Sequence, residues 1–485
     1  MATLVAAALT LVHIGQKSLW RDEGYTVSSV LRPWPSLWHL LWYTETNGFL
    51  YQIGQKLWSG FSDGQTWMRS FSALATIATV PVVAALAGRL FDRRVAMIAP
   101  FLFVLNGSVV TFGQLARGYA WSTLLASAAT LAFVTLVDRP DRRVTMLWVL
   151  AVIGLAGVHV IAALLLLAAQ VVALAGRPRE VRPWRRIAPG ALIALAVTGA
   201  IGLRVATHDE DQGLLKLGLG LYHDTLMVLS GRGGVAGIVA FGLLGAVFLA
   251  GTWRAWRAHG RSIEFWPHAL VLSCAALPPA ALAVLSFIHP VLLGRYLLFC
   301  LPAFSIGAAA GAVALFDRLR AAGTRAGLLA VLSSVAGMVV LGGLVRGVAY
   351  WHAGGGVEDW RGAARLVEEQ SKAGDRVVFA DDWIRLFFEY YRTHPAPTAV
   401  ESTPLFPAAP WGNFRTENVT YSSFTDADLS RLGTDAPRLW AVLGRDHTDV
   451  SRAHASLDRL GGAYRLTRSW VLSDFIEVYL YTGRS

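Results

Sequence analysis

Two adjacent carboxylates offer the clearest chemistry in the sequence. Asp22 and Glu23 stand in the stretch Leu-Trp-Arg-Asp-Glu-Gly-Tyr-Thr at 19–26, directly after the first apolar segment. Acidic side chains at the mouth of a membrane-spanning bundle are costly to desolvate, and they therefore mark functional sites. We therefore expect Asp22 and Glu23 to belong to a functional site. The alternative is an ordinary helix start with Asp22 as its N-cap.

A second polar motif follows in Thr-Glu-Thr-Asn-Gly-Phe-Leu-Tyr-Gln at 44–52. We expect Glu45, Asn47 and Tyr51 to orient an acceptor or a divalent metal. Oxygen ligands suit Mg²⁺ or Mn²⁺, but no ligand set in the sequence is complete, so no cofactor is certain. The alternative for Glu45 is an exposed loop acid, which is the commoner situation.

Two arginines are candidates for binding an anion. Arg117 is the strong charge in a tight turn, Phe-Gly-Gln-Leu-Ala-Arg-Gly-Tyr at 112–119, and Arg295 heads another apolar segment in 287–296. A guanidinium suits phosphate because its planar fork can bind it bidentately. Two such groups facing the same compartment as the two acids predict a site for an anionic lipid headgroup. Interfacial snorkelling of both arginines is the alternative.

Composition indicates a membrane protein with a soluble tail. Of 485 residues, 54% are hydrophobic and 15% are charged, where soluble chains carry about 25% charged residues. Residues 1–348 hold 28 basic and 14 acidic side chains, whereas 349–485 hold 15 basic and 18 acidic ones. We therefore predict a membrane domain at 1–348 and a soluble domain at 349–485. Because the excess basic charge belongs to the membrane part, a nucleic-acid partner is a poor explanation for it.

The apolar segments predict about eleven transmembrane helices, each near the ~20 residues that cross a bilayer. They lie at 1–18, 68–88, 95–113, 118–137, 145–159, 160–176, 187–204, 233–252, 267–287, 294–315 and 326–348. Within 145–176 only Gly157, Val158 and His159 suggest a break. The positive-inside rule supports that break, because eleven spans place all five arginine clusters on the cytoplasmic side. The clusters lie at 89–94, 139–143, 177–186, 254–261 and 318–325.

This topology puts the N-terminus in the cytoplasm and the tail outside the plasma membrane. The first outer loop, about 19–67, then carries the acidic pair. It also contains Trp34, Trp38 and Trp42, whose spacing gathers the rings on one helical face. A helix in the headgroup region fits this pattern, and simple packing on the bundle is the alternative.

The tail is predicted to be a small extracytoplasmic α/β domain. A helical stretch at 358–370 runs into a strand at 376–380, and a second helix begins at Trp383. Further strands are predicted around 419–424, 438–443 and 474–482. Asp381 and Asp382 follow the first of these strands, where an acid pair is usually a helix N-cap.

In combination, these motifs resemble the bacterial polytopic glycosyltransferases of the C-type superfamily, family-39-like. These enzymes are related to protein O-mannosyltransferases and to the aminoarabinose transferase of lipid A. The residues that carry the resemblance are Trp20, Asp22, Glu23, Glu45, Asn47, Tyr51, Arg69, Ser72, Gln114, Arg117, Tyr119, His159, Pro290, Arg295 and Tyr296. Where many relatives have His-Pro-Pro-Leu-Tyr-Tyr, this chain has Asn-Gly-Phe-Leu-Tyr-Gln at 47–52, a difference that concerns the acceptor more than the chemistry.

The resemblance implies an α-helical integral membrane enzyme that takes a sugar from a polyprenyl-phosphate carrier. By this analogy the sugar is mannose or arabinose, and it passes with inversion to a glycan, lipid or protein of the cell envelope. Asp22 matches the catalytic acid of the family, which implies that Asp22 is the general base and Glu23 an orienting group. The donor phosphate would be bound by Arg117, Arg295, Tyr119, Tyr296 and His159.

Two other classes of protein stay open. A transporter or flippase of a lipid-linked saccharide would also place polar groups within a helical bundle, although transporters commonly have repeated halves and this sequence shows none. A binding or assembly protein would use the tail and keep the membrane part only as an anchor. Eleven spans are far more than an anchor needs.

Overall fold

A computed structural model describes the chain as a series of helices followed by a small sheet. It describes residues 1–43, 45–139, 141–178, 183–208, 218–287, 291–321, 326–352, 358–379, 382–393, 403–406, 437–444, 464–473 and 475–483. The helices are α1 (Ala2–Leu11), α2 (Glu23–Leu31), α3 (Trp34–Tyr43), α4 (Phe49–Trp58), α5 (Gln65–Leu90), α6 (Arg93–Val104), α7 (Gly107–Gly113), α8 (Tyr119–Asp138), α9 (Arg142–Val158), α10 (Val160–Leu174), α11 (Trp184–His208), α12 (Leu219–Leu229), α13 (Gly234–His259), α14 (Trp266–Leu285), a 3-10 helix (Gly294–Cys300), α15 (Leu301–Ala321), α16 (Ala326–His352), α17 (Trp360–Gln370) and α18 (Asp382–Thr393). The strands are β1 (Arg376–Phe379), β2 (Thr403–Phe406), β3 (Arg438–Gly444), β4 (Tyr464–Ser473) and β5 (Ile476–Gly483).

The chain folds into two compact units. The membrane unit comprises Met1–Ile14, Leu41–Gly54 and Arg69–Gly355. The tail unit comprises Gly15–Leu40, Gln55–Met68 and Gly356–Ser485. The tail unit therefore combines the soluble tail with two segments of the predicted first outer loop, including the acidic pair.

The membrane unit contains several helices of membrane-spanning length, as predicted. Among the described residues, seven helices are long and apolar enough to cross a bilayer, or eight if a bent pair counts as one span. That pair is α6 and α7, which meet at an angle of 63°. Asn106 explains the bend, because its side chain accepts the Ser108 N–H (3.0 Å) and starts a new helix. The multi-pass architecture is confirmed, and the count of eleven stays a prediction.

The predicted first span, 1–18, is wrong in length. Helix α1 has ten residues, Ala2–Leu11, and so rises about 15 Å, roughly half the thickness of a bilayer's hydrocarbon core. His13 has a φ of 61°, a left-handed conformation that a continuing α-helix cannot contain. The apolar composition of this segment was therefore a poor guide to where its helix ends.

The break predicted within 145–176 is confirmed at His159. Helix α9 ends at Val158, His159 is extended (φ −162°, ψ 96°), and α10 begins at the next residue. The His159 side chain accepts the Ala162 N–H at 3.3 Å and so caps α10. This one residue both ends a helix and starts the next.

Ion pairs join four of the loops that the sequence places in the cytoplasm. Asp138 lies 3.4 Å from Arg89 and 3.8 Å from Arg177, and Arg94 lies 2.6 Å from Asp317. These loops therefore lie at one end of the membrane unit. This arrangement agrees with the prediction that these loops lie on the same side of the membrane. That this side faces the cytoplasm stays a prediction.

Helix α3 carries the three tryptophans predicted to share a face. Their side chains are 39%, 52% and 57% exposed for Trp34, Trp38 and Trp42, while Leu37 and Leu41 are buried. The rings of Trp34 and Trp38 are exposed, whereas the Trp42 ring is contacted by Arg204, whose guanidinium carbon lies 4.5 Å from the ring centre. The exposed aromatic face favours the headgroup interpretation.

The tail unit contains a five-stranded sheet in the order β2-β1-β3-β5-β4. Strand β1 runs parallel to β2 and β3, and β5 runs antiparallel to β3 and β4. The strands predicted at 376–380, 438–443 and 474–482 are confirmed, and the one predicted at 419–424 lies outside the described residues. Prediction missed β4, whose side chains are mostly exposed and polar, so that it lacks the apolar run of a buried strand.

Two helices pack against this sheet. The predicted helices are confirmed as α17 and α18, and the Trp360 and Phe387 rings stack between them at 5.3 Å. Asp359 caps α17 by accepting the Gly362 N–H at 2.9 Å. Of the predicted capping pair, Asp382 is the first residue of α18, while Asp381 lies outside the described residues.

Candidate functional site

Five predicted donor-site residues gather at one end of the membrane unit. The turn after α7 carries Arg117 and leads to Tyr119, the α9–α10 break carries His159, and the 3-10 helix carries Arg295 and Tyr296. The Tyr296 ring lies 4.6 Å from that of His159 and 6.4 Å from that of Tyr119. Segments far apart in the sequence thus form one group, which we call the cationic cluster.

Aromatic rings hold the two arginines of the cationic cluster. The guanidinium carbon of Arg117 lies 5.8 Å from the centre of the Tyr119 ring, and that of Arg295 lies 5.8 Å from the Tyr296 ring. Both arginines are half-buried. A guanidinium held over a ring and partly withdrawn from water keeps its charge, and its attraction for an anion is screened less than in bulk solvent.

His159 adds a hydrogen-bond donor to the cationic cluster. Its Nδ1 accepts the Ala162 N–H, so the proton of the neutral ring lies on Nε2. Nε2 is buried, and it has no hydrogen-bond partner among the described residues. A buried donor is costly to leave unpaired, and a phosphate oxygen would satisfy it.

The loop with the second polar motif reaches the same helix break. Asn47 Oδ1 accepts the Val160 N–H at 3.3 Å, which places the loop beside His159. Tyr51 is buried, and its ring lies 5.9 Å from that of Phe71. Glu45 is half-buried, two residues before Asn47. The structure therefore brings Asn47 to the cationic cluster, whereas no geometric role for Glu45 follows from its placement.

Three other residues of the family-like motif have positioning roles. Gln114 donates from Nε2 to two carbonyl oxygens at the end of α1, at 2.8 and 3.1 Å. Arg69 is 1% exposed and donates to the Ile14 carbonyl at 3.0 Å. Ser72 donates to the Arg117 carbonyl at 3.0 Å. These contacts fix the end of α1 and the turn that carries Arg117.

The acidic pair lies in the tail unit. Glu23 is the first residue of α2, is fully buried, and accepts the Trp20 N–H through Oε2 at 2.8 Å. Asp22 precedes it, half-buried, and its carboxylate makes no capping hydrogen bond to α2. Asp22 is thus the N-cap residue of α2 by position, without a side-chain cap. Glu23 fixes the local main chain through this hydrogen bond, and its role in a reaction stays a prediction.

Sequence reasoning missed Glu358. This carboxylate is 4% exposed, and its Oε2 accepts the Arg21 N–H at 2.8 Å. Burial raises its pKa to about 7, and the negative charge of Asp22 adds to that effect, while the Arg21 charge and the hydrogen bonds oppose it. The sequence carries no signal for this contact, because 337 residues separate the two partners.

The described residues contain no group of three His, Cys, Asp or Glu side chains that could hold a metal ion. Asp22, Glu23 and Glu45, which the sequence suggested for a divalent cation, form no such group within this part of the chain.

Comparison with solved structures places the fold among membrane glycosyltransferases. ArnT from Cupriavidus metallidurans bound to undecaprenyl phosphate matches with a TM-score of 0.59 at 15% identity, over 99% of this chain and 97% of that one. The archaeal oligosaccharyltransferase AglB from Archaeoglobus fulgidus, in complex with an inhibitory peptide and a dolichol-phosphate, matches with 0.56 at 14%, over 100% and 74%. The arabinofuranosyltransferase AftD from Mycobacteria matches with 0.50 at 16%, over 100% and 40%.

The predicted C-type fold is therefore confirmed, and the chain has the architecture of a multi-pass membrane protein. The structural likeness covers nearly the whole chain, including the tail, whereas the motif resemblance ended near Tyr296. No protein-family model and no curated protein sequence matches the chain.

Proposed function

We propose that this protein is a membrane glycosyltransferase that moves a sugar from a polyprenyl-phosphate donor to a cell-envelope acceptor. The observation that carries this proposal is the cationic cluster, in which Arg117, Arg295 and the Nε2 donor of His159 come together. Two cations and a buried neutral donor suit the phosphate of a lipid carrier. The neighbours support the same ligand class, since the ArnT structure contains undecaprenyl phosphate and the AglB structure contains a dolichol-phosphate.

The reaction we propose is a direct displacement at the anomeric carbon. An acceptor hydroxyl attacks, the bond from that carbon to the phosphate oxygen breaks, and polyprenyl phosphate leaves with the electron pair. Asp22 takes the hydroxyl proton as general base. Arg117 and Arg295 stabilise the charge on the departing phosphate, and the anomeric configuration inverts.

The remaining polar residues serve orientation in this proposal. Asn47 and Tyr51 lie where the loop meets the α9–α10 break and orient the acceptor, with Glu45 as a further candidate. Tyr119 and Tyr296 hold the two arginines. A divalent metal, if the protein binds one, would add charge stabilisation at the leaving phosphate, and the sugar is a hexose or pentose.

The proposed topology places the N-terminus in the cytoplasm of the plasma membrane and the tail outside. The ion-paired loops support a common side for the arginine clusters. Alkaline phosphatase and a cytoplasm-only fluorescent protein, fused to separate copies at Ser485, test this arrangement. We expect phosphatase activity without fluorescence. The reverse result would overturn both the topology and an extracytoplasmic reaction.

Transfer itself is tested with purified protein in nanodiscs. Synthetic polyprenyl-phosphate mannose and polyprenyl-phosphate arabinofuranose are supplied with envelope extract as acceptor, and the released polyprenyl phosphate is measured. We expect acceptor-dependent release with one of the two donors. A flippase would instead carry the intact lipid-linked sugar across the bilayer of reconstituted vesicles, and that outcome would replace the proposal.

A further inference from the structure

Side chains hold the main chain directly before Asp22. The N–H groups of three consecutive residues, 19–21, each donate to a side-chain oxygen. The acceptors, in order, are Tyr391 Oη at 2.6 Å, Glu23 Oε2 at 2.8 Å and Glu358 Oε2 at 2.8 Å. Two of the three acceptors come from the soluble tail. The tail therefore shapes the segment that carries the proposed base.

The buried carboxyl group of Glu358 makes several polar contacts. The oxygen that accepts the Arg21 N–H also accepts the indole N–H of Trp360 at 3.0 Å. The other oxygen lies 4.0 Å from Arg21 Nε. Hydrogen bonds to a carboxylate are about twice as strong as those between neutral groups. They fix the residue next to Asp22 in one place.

Attachment of the tail does not by itself explain a buried acid at this position. Arg361 already binds the segment, since its N–H donates to Ser18 Oγ at 3.1 Å and its Nη2 to the Gly15 carbonyl at 3.0 Å. Packing adds to this, because Gly24 lies against the Phe387 ring. A buried carboxylate is costly to desolvate, and apolar residues often stabilise such a contact as well or better. What Glu358 adds is the position of the main chain beside Asp22.

We propose that Glu358 is a positioning residue for Asp22, through which the soluble tail completes the acidic site. This inference rests on the proposed function, because Asp22 is the base of that reaction. Glu358 touches neither donor nor acceptor in this role. It acts by holding the Arg21 N–H, so that Asp22 meets the acceptor hydroxyl at a fixed distance and angle.

The test compares Glu358→Ala with Glu358→Gln in the full-length protein in nanodiscs. A glutamine can keep both hydrogen bonds, because the two N–H groups donate to a single oxygen. Glu369→Ala is the matched control, since this glutamate lies exposed on α17 of the same unit. Tyr391→Phe is a second variant. It removes the hydroxyl that accepts the Leu19 N–H, together with that hydroxyl's other contacts, and keeps the ring. Single-turnover transfer, donor binding and amide hydrogen exchange at 19–21 are measured for each.

We expect Glu358→Ala to slow transfer at least about tenfold, with donor Kd unchanged and faster exchange of the Arg21 amide. Glu358→Gln should restore most of the rate, Tyr391→Phe should be slower than the parent, and Glu369→Ala should match it. A Glu358→Ala variant as fast as Glu369→Ala would overturn the inference. So would equal damage from alanine and glutamine, or a parallel loss of donor binding.

The two proposals fail in different ways. The parent's own transfer reports on the proposed function, whereas the ratio of variant to parent reports on Glu358. Hydrogen exchange tests the contact between the Arg21 N–H and Glu358 without any measurement of activity. An Arg21 amide that exchanges equally in the parent and in Glu358→Ala would refute the role of Glu358 even in an active enzyme.

Discussion

The two units each carry one buried polar centre, and the two centres are of opposite charge. In the membrane unit, the cationic cluster combines Arg117, Arg295 and His159 with tyrosine rings. In the tail unit, the acidic centre combines Asp22, Glu23 and Glu358 with main-chain N–H groups. The proposed reaction assigns anion binding to the first centre and proton transfer to the second.

The centres also differ in how their charges are held. The arginines of the cationic cluster lie beside tyrosine rings, and such ring contacts are less directional than hydrogen bonds. Hydrogen bonds to the main chain hold Glu23 and Glu358, and these contacts fix the neighbouring residues tightly. We infer that the cationic cluster tolerates adjustment to the donor, whereas the acidic centre depends on accurate placement.

The largest effect is expected from the acidic centre. Asp22→Asn keeps the size and hydrogen bonding of the side chain and removes its basicity, so turnover should fall about a hundredfold or more. Donor Kd should stay that of the parent, because the donor phosphate is assigned to the other centre. Single-turnover transfer from a synthetic polyprenyl-phosphate sugar, with donor binding measured in parallel, checks both statements.

Glu23→Gln is the matched control for this prediction. Its amide oxygen can still accept the Trp20 N–H, so its effect on turnover should be milder than that of Asp22→Asn. Normal turnover in Asp22→Asn would remove it as the base, and Glu45 would then become the candidate.

The acidic centre should also make stability depend on pH. The pKa of Glu358 is raised to about 7 in the folded protein from 4.5, so folding favours its protonated form. Its contribution is full below pH 4.5 and is lost as the pH rises from 4.5 through 7, a change of about 3 kcal/mol. The parent should therefore lose more thermal stability than Glu358→Gln between pH 5 and pH 8.

Infrared spectroscopy measures the same group directly. A carboxylic-acid band that is present in the parent, absent in Glu358→Gln and lost near pH 7 is expected. A band that disappears near pH 4.5 would show that burial does not perturb this carboxyl. The two centres would then no longer differ in their response to pH near neutrality.

Removal of either arginine of the cationic cluster should weaken donor binding. A lost hydrogen bond to a charged group costs about 1.5–3 kcal/mol, which corresponds to a rise of about ten- to a hundredfold in the Kd for the donor. Arg117→Ala and Arg295→Ala are both measured with polyprenyl phosphate in nanodiscs. Expression and folding should stay near those of the parent.

Parental affinity in both variants would show that the two arginines are interfacial anchors. Arg94→Ala provides the matched control, because Arg94 carries the same charge at the ion-paired end of the membrane unit. Its Kd for the donor should equal that of the parent, which separates a local contact from a general loss of positive charge.

The smallest effect is expected from the surface ion pairs. Arg94 and Asp317 are each 48% exposed and lie 2.6 Å apart. Exposed pairs contribute about 0.2–1 kcal/mol, so Asp317→Asn should change thermal stability little and transfer not at all. The change should shrink further in high salt, because screening acts on exposed charges. A large loss of transfer would place a functional role at this end of the unit.

Local sequence patterns predicted much of the fold and part of the candidate site. Gly157, Val158 and His159 indicated a helix break, and a cap at His159 forms it. The arginines at helix ends and turns were recognisable from their type and setting. The 1–18 span was wrong because hydropathy does not record where the backbone leaves the helical conformation, as it does at Val12 (φ −66°, ψ 129°).

The sequence by itself determined the membrane architecture, the alternation of apolar helices with basic loops, and the residue types suited to phosphate and proton chemistry. These properties are local, since they depend on runs of neighbouring residues. Only the tertiary structure decided that Arg117, His159 and Tyr296 converge, and that Glu358 holds the Arg21 N–H across 337 residues. Such contacts depend on the path of the whole chain, and no periodicity within a single segment encodes them.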